Sequence, residues 1–285
     1  MKKILRYTEE ENLTRIKMQK NTKFIIVEGA DDVPIYETIF NSHVIELSLD
    51  VDFEVVYGGG KSKITSFAQS YCKNNFRAIL DLDFDHNEKI SDHRLRYLDA
   101  YSIENYYFSR IVLSYLLANI LKLKMKDVLA HVDLTEWHSH VNDECFCCLK
   151  HLYFYQKNYN YDKSKWSNMY ICKDNGCWEI DKTKINLILT KIIDETCVTD
   201  QEIDDFFNST FPSYDKITKV FPGKMIFHSF YRYVKQYMEK NYSGIFSANF
   251  TNDKSFKNAS TTYLKFNTEC RKILHPIFNY LIDPI

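Results

Sequence analysis

Hydrophobic residues in the first hundred positions form short continuous runs that alternate with amphipathic stripes. Phe24-Ile25-Ile26-Val27 is such a run, the pattern of a strand buried on both faces. A helical stripe follows at Val33, Tyr36, Ile39 and Phe40. Residues 51–57 predict a second strand that ends at Gly58-Gly59-Gly60. Beyond it Ile64, Phe67, Ala68, Tyr71 and Cys72 repeat at the spacing of one helix face. Ala78-Ile79-Leu80 predicts a third strand running into Asp81. Strand, helix, strand, helix, strand predicts a right-handed parallel α/β unit. In such sheets ligands collect beyond the carboxyl ends of the strands. Glu28, Gly58 and Asp81 each follow a predicted strand end, so three segments converge on one edge.

The second half reads as mostly helical. Stripes run through Cys145, Cys148, Leu149, Leu152 and Tyr155, then Ile185, Ile188, Leu189 and Ile192. A third joins Phe227, Phe230, Tyr231, Val234 and Met238, and the polar stretch 158–174 predicts a loop or weak hairpin. The expected organisation is an α/β domain over 1–125 and a mostly helical region over 126–285. No repeat or low-complexity segment interrupts it.

Composition narrows the classes. A hydrophobic content of 45% supports a full core, and 21 Tyr with 20 Phe imply that large rings fill it. The net charge of −1 excludes a global basic field, so a polyanion would have to be held by local lysines and bound metal. The first seven residues lack the apolar region of a signal peptide. The longest apolar stretch, 111–123, is broken by Ser114, Asn119 and Lys122 and falls short of the ~20 residues of a membrane span. A cytoplasmic location with reduced cysteines is the expectation, and the sequon at Asn258 is then idle.

Only seven residues are glycine, and four of them stand at Gly29 and Gly58–Gly60. Clustered glycine beside carboxylates at strand ends suggests a site for a divalent metal and phosphate. Side chains alternate along a strand, so Asp81 and Asp83 are expected on one side, where they can share a Mg²⁺ ion. Glu28, from a neighbouring strand end, would complete the site or act as general base. The competing account is a carboxylate-rich solvated turn. Asp81, Asp83, Asp85 and Asp92 match calcium-loop positions, but His86 stands where glycine is required and a strand precedes the loop. Gly58-Gly59-Gly60-Lys61-Ser62 lacks the first glycine of a nucleotide-binding P-loop, since residue 55 is Val. Lys61 or Lys63 at a helix N-terminus can still contact a phosphate.

Glu104, in Tyr101-Ser102-Ile103-Glu104-Asn105-Tyr106, is either a further metal ligand or a first-turn acid favoured by a helix dipole. Lys224, in Phe221-Pro222-Gly223-Lys224, either approaches the scissile phosphate or belongs to a plain turn. His138, His140, Cys145, Cys147, Cys148, Cys172 and Cys177 suggest zinc, but no matched Cys-x-x-Cys pairs occur, and Cys145 and Cys148 fall on an apolar face. No Gly-x-Ser-x-Gly elbow is present.

The ordered set Val27-Glu28-Gly29, Gly58-Gly59-Gly60-Lys61 and Ile79-Leu80-Asp81-Leu82-Asp83 resembles a Toprim domain, shared by topoisomerases, bacterial primases, recombination-repair proteins and OLD-type nucleases. With Asp85, residues 101–106 and Gly223-Lys224, the chain resembles OLD-like Toprim proteins such as the effectors of PARIS anti-phage systems. The resemblance spans about residues 23–106, with weaker similarity beyond. It implies a nuclease dependent on Mg²⁺ or Mn²⁺, with Glu28 as acid/base or bridging carboxylate and Asp81 and Asp83 as metal ligands. Glu104 would serve a second metal, and Lys224 and Lys61 would assist catalysis. It also implies a toxin-like defence effector acting on nucleic acid, transfer RNA or DNA, under a partner ATPase, because the chain has no ATPase motif of its own. A DNA endonuclease in a repair or restriction complex, or a non-catalytic Toprim-like binding subunit, stays open. Charge and length suggest a homodimer. Topoisomerase and primase identities fit poorly, because those enzymes need additional domains.

Overall fold

The computed structural model describes residues 7–159, 169–242 and 244–283. The start of the chain, 1–6, and most of the expected loop at 158–174 lie outside them. Packing divides the chain into two compact units. One comprises the described residues of Met1–Leu82, Asn87–Asp99 and Thr261–Ile285, the other Asp83–His86 and Ala100–Ser260.

The first unit is α/β. Its parallel sheet has strands β1 (Lys23–Val27), β2 (Phe53–Tyr57), β3 (Phe76–Leu80) and β4 (Leu95–Tyr97), in the order β2-β1-β3-β4. β1 is central, and Phe24, Ile25, Ile26 and Val27 are wholly excluded from solvent. Alternation sends its side chains to opposite faces. On one face Phe24, Ile26, Phe76, Ala78 and Leu80 pack against Ile16 of α1 (Glu9–Met18) and against Ile64, Phe67 and Ala68 of α3 (Lys61–Ser70). On the other, α2 (Val33–Glu46) sets Phe40 edge-on to Phe53. Phe40 also meets Phe278 of the last helix (Thr268–Ile282), ring centres 5.1 Å apart. The chain's final helix therefore belongs to the sheet unit, and Lys23 Nζ donates to the Leu281 carbonyl at 2.6 Å.

Helix α1 starts from a capping box, with Thr8 N–H donating to Glu11 Oε2 at 2.7 Å and Glu11 N–H returning to Thr8 Oγ1. The face expected to continue through Tyr71 and Cys72 stops at Ser70: Tyr71 is extended and Cys72 is exposed.

The second unit is helical, built on α4 (Arg110–Leu121), α5 (Met125–His131), α6 (Thr135–Asn158), α7 (Lys182–Thr196), α8 (Asp200–Thr210) and α10 (Gly223–Asn241), with the short α9 (Ile217–Val220) leading into α10. All three expected stripes lie on these helices, although Leu189 is only half-buried. Rings fill the core as composition implies. Trp137 packs on Phe108 and Phe230 and donates its indole N–H to Ser229 Oγ at 3.0 Å. An isolated antiparallel bridge joins Cys172 to Ile180. Among the described residues no helix is long and apolar enough to cross a membrane.

Candidate active site

At the carboxyl edge of the sheet, Glu28 follows the last residue of β1 and Asp81 follows the last residue of β3. The two strands are neighbours. Asp81 N–H donates to Glu28 Oε1 at 2.8 Å, so the backbone of one acid orients the carboxylate of the other. Both residues are half-buried.

The triple glycine is latched to the same edge. Gly58 N–H donates to the Val27 carbonyl at 2.9 Å and Gly60 N–H to the Glu28 carbonyl at 3.0 Å. A Cβ on Gly58 would stand 2.5 Å from Ile64 Cγ1 and 2.9 Å from Ile26 Cγ2, which excludes any side chain without repacking. Gly59 and Gly60 have φ of +79° and +99°, backbone that L residues rarely adopt. The turn opens α3 with Gly60 as N-cap and no side-chain cap bond. Lys61 begins the helix and extends its Nζ to 3.4 Å from the Leu82 carbonyl, beside Asp81. Lys63, the alternative phosphate contact, instead pairs with Glu9 at 2.9 Å. On the other side of Glu28, Gly29 N–H donates to Asp32 Oδ2 at 3.1 Å, closing the turn into α2.

The expectation that Asp81 and Asp83 share a side rested on strand geometry, and the strand ends at Leu80. Asp83 takes a left-handed backbone, φ +51°, so alternation does not carry to it. It is buried and donates its N–H to the Tyr101 carbonyl at 2.8 Å. A non-glycine residue held at positive φ is a strained position of the kind concentrated at functional sites. Asp85 pairs with Lys157 at 3.0 Å. Asp92 receives both Nε and Nη2 of Arg94, so it is a structural anion and not part of a calcium loop.

In the helical unit, two segments more than a hundred residues apart in sequence are clamped together. Ser102 caps a 3-10 turn, Ile103–Tyr107, with Asn105 Oδ1 accepting from Ser102 N–H at 2.9 Å. Asn105 Nδ2 donates to the carbonyls of Thr218 and Phe221, each at 2.8 Å. Gly223 is then pressed so close that a Cβ there would lie 2.7 Å from Glu104 Cβ. Glu104 and Lys224 are thereby brought into one cluster, joined by Lys257, whose Nζ sits 2.7 Å from Glu104 Oε1. Glu104 is 1% exposed. Burial alone would raise its pKa, but the Lys257 and Lys224 ammonium groups outweigh that and hold it below the ordinary carboxylate value. It is a first-turn acid of the 3-10 helix, as one of the two sequence readings had it, and it is buried and bound by lysine. Lys257 was not among the sequence candidates, since nothing in its spacing marks it.

Among the described residues no group of three or more His, Cys, Asp or Glu is disposed to hold a metal ion. The expected histidines and cysteines serve other ends. His140 Nε2 accepts from Ile180 N–H at 2.9 Å, His138 Nδ1 lies 3.1 Å from Thr218 Oγ1, and Cys145 and Cys148 are buried thiols. Burial pushes the Cys145 pKa well up, which disfavours the thiolate that zinc requires. Mg²⁺ asks for less protein, one or two carboxylates with water and phosphate oxygens completing the octahedron. The Glu28–Asp81 pair, beside a glycine turn and a lysine, is a donor set compatible with that demand.

The fold and these strand-end residues define an α/β protein with an acidic residue at each of two adjacent strand ends of a parallel sheet. No protein-family model matches the chain, and no curated protein matches it.

Proposed function

We propose that this protein is a Mg²⁺-dependent nuclease of the Toprim type that cleaves phosphodiester bonds of nucleic acid. The observation that carries the reading is the Asp81 N–H to Glu28 Oε1 bond, which pairs two carboxylate residues at adjacent strand ends of a β2-β1-β3-β4 parallel sheet. Glu28, oriented by that bond, takes the proton from the attacking water or ribose hydroxyl. Asp81, with Glu28, would supply the negative charge to hold a hard dication. Lys61 and the N–H groups opening α3 bind a phosphate oxygen. Mg²⁺ held there would neutralise charge developing on the attacking and leaving oxygens.

The resemblance extends the reading to a cytoplasmic, homodimeric, toxin-like anti-phage effector restrained by a partner ATPase, with transfer RNA as its substrate. The test incubates purified protein and Mg²⁺ with separate transfer-RNA and plasmid pools, with and without chelator. Chelator-sensitive cleavage of transfer RNA is expected, lost in Glu28→Gln. Cleavage of plasmid alone would move the assignment to a DNA endonuclease. No cleavage of either pool with Mg²⁺ or Mn²⁺, together with cell toxicity that survives Glu28→Ala, would leave a binding subunit.

A further inference from the structure

On the sheet face opposite α1 and α3, between α2 and the last helix, lies a cavity of about 140 Å³. An engineered cavity of about 150 Å³ accepts benzene, so this one is the size of a single ring. Its floor is apolar, with Ile39, Leu264, Leu274 and Phe278 buried beneath it, and His43, Leu47 and Phe266 form the walls that reach solvent. The His43 ring lies against Phe278 with centroids 4.0 Å apart, adding a flat wall.

The mouth is polar and unevenly charged. Lys265 is neutralised by Glu46 at 3.3 Å. Arg271 is exposed, and its guanidinium makes no hydrogen bond or ion pair with a described residue. Burial and then the Arg271 charge push the His43 pKa down, which disfavours a second cation at the mouth. An apolar hollow thus opens beside a planar cationic fork that no carboxylate of a described residue engages, and that fork matches a carboxylate in bidentate geometry.

We propose that this cavity is a binding site for a small aromatic carboxylate, its ring against His43, Leu47 and Phe266 and its carboxylate on Arg271. None of these residues belongs to the strand-end site, so the inference does not depend on the nuclease reading. The test is a ¹⁹F NMR titration of the full chain with 4-fluorobenzoate, against 4-fluorobenzyl alcohol (ring without charge) and trifluoroacetate (charge without ring). Saturable broadening is expected for the benzoate alone. Arg271→Gln, an exposed change that leaves the floor intact, should weaken binding tenfold or more, as loss of a charge-assisted bond does. Absence of saturable broadening at about 10 mM, the weak limit for so small a ligand, would overturn the proposal. So would equal affinity for the alcohol, or an Arg271→Gln protein that binds as well as the parent.

Discussion

Replacing Glu28 in two ways separates its structural duty from its chemical one. Its Oε1 accepts the Asp81 N–H at 2.8 Å in a half-buried setting. A hydrogen bond to a charged group contributes about 1.5–3 kcal/mol, and a neutral one about 0.5–1.5 kcal/mol. Glu28→Gln keeps an acceptor oxygen in place and should cost about 1 kcal/mol, whereas Glu28→Ala strands the Asp81 amide and should cost about 2–3 kcal/mol. At roughly 2–4 °C per kcal/mol, melting should fall by about 2–4 °C for the glutamine variant and about 4–12 °C for alanine. The chemistry should rank differently. Glutamine can neither take a proton nor help hold a dication, so both variants should lose at least about a hundredfold in cleavage, the low end for a general base. Thermal melts paired with single-turnover cleavage read both scales. A Glu28→Gln protein cleaving within about fivefold of the parent would refute the reasoning, because it would leave Glu28 only the duty of tying β1 to β3.

Four further outcomes follow from the geometry. Gly58→Ala should destabilise by about 1–3 kcal/mol through overpacking against Ile64 and Ile26, and Ile64→Val should recover part of that in chemical denaturation. Lys257→Met leaves the buried Glu104 with Lys224 and the Ser102 hydroxyl and should cost about 3 kcal/mol, with the double variant Glu104→Gln/Lys257→Met recovering much of it. Because the folded pKa of Glu104 is depressed, its contribution is present above the ordinary carboxylate pKa and is lost as pH falls through the lower folded value; in Glu104→Gln the acid limb should flatten. His138 is pushed down to about 4 by burial and by Lys216, so the unfolded chain binds the extra proton between about pH 4 and 6.5. Stability should therefore rise with pH across that window, by at most about 3 kcal/mol, and His138→Gln should remove the slope.

β1 was legible because Phe24-Ile25-Ile26-Val27 is an apolar run that only a sheet covered on both faces can bury, and β2 and β3 because their apolar residues run up to the triple glycine and to Asp81. β4 was not, since Leu95-Arg96-Tyr97 is three residues long and has a charge at its centre. Helix α1 was signalled by Thr8 and Glu11, a capping box that a search for apolar periodicity passes over. Tyr71 and Cys72 keep helical spacing, yet the Tyr71 hydroxyl bonds Asn75 and the Ile16 carbonyl and the chain leaves the helix there. The placement of Glu28, Asp81 and the glycine turn at one sheet edge was readable because each directly follows a strand. The placement of Asp83 was not, because a left-handed residue after β3 breaks the alternation its assignment assumed. The clamp of Asn105 on Thr218 and Phe221, and the lysine that meets Glu104 from position 257, depend on tertiary packing that leaves no local pattern.

The central claim is that Glu28 and Asp81 together hold the dication on which cleavage depends, and anomalous diffraction from crystals soaked in Mn²⁺ tests it most directly. The account predicts a peak about 2.0–2.2 Å from carboxylate oxygens of both residues, absent in Asp81→Asn crystals. Manganese bound away from both carboxylates, or an unchanged peak in Asp81→Asn, would contradict it.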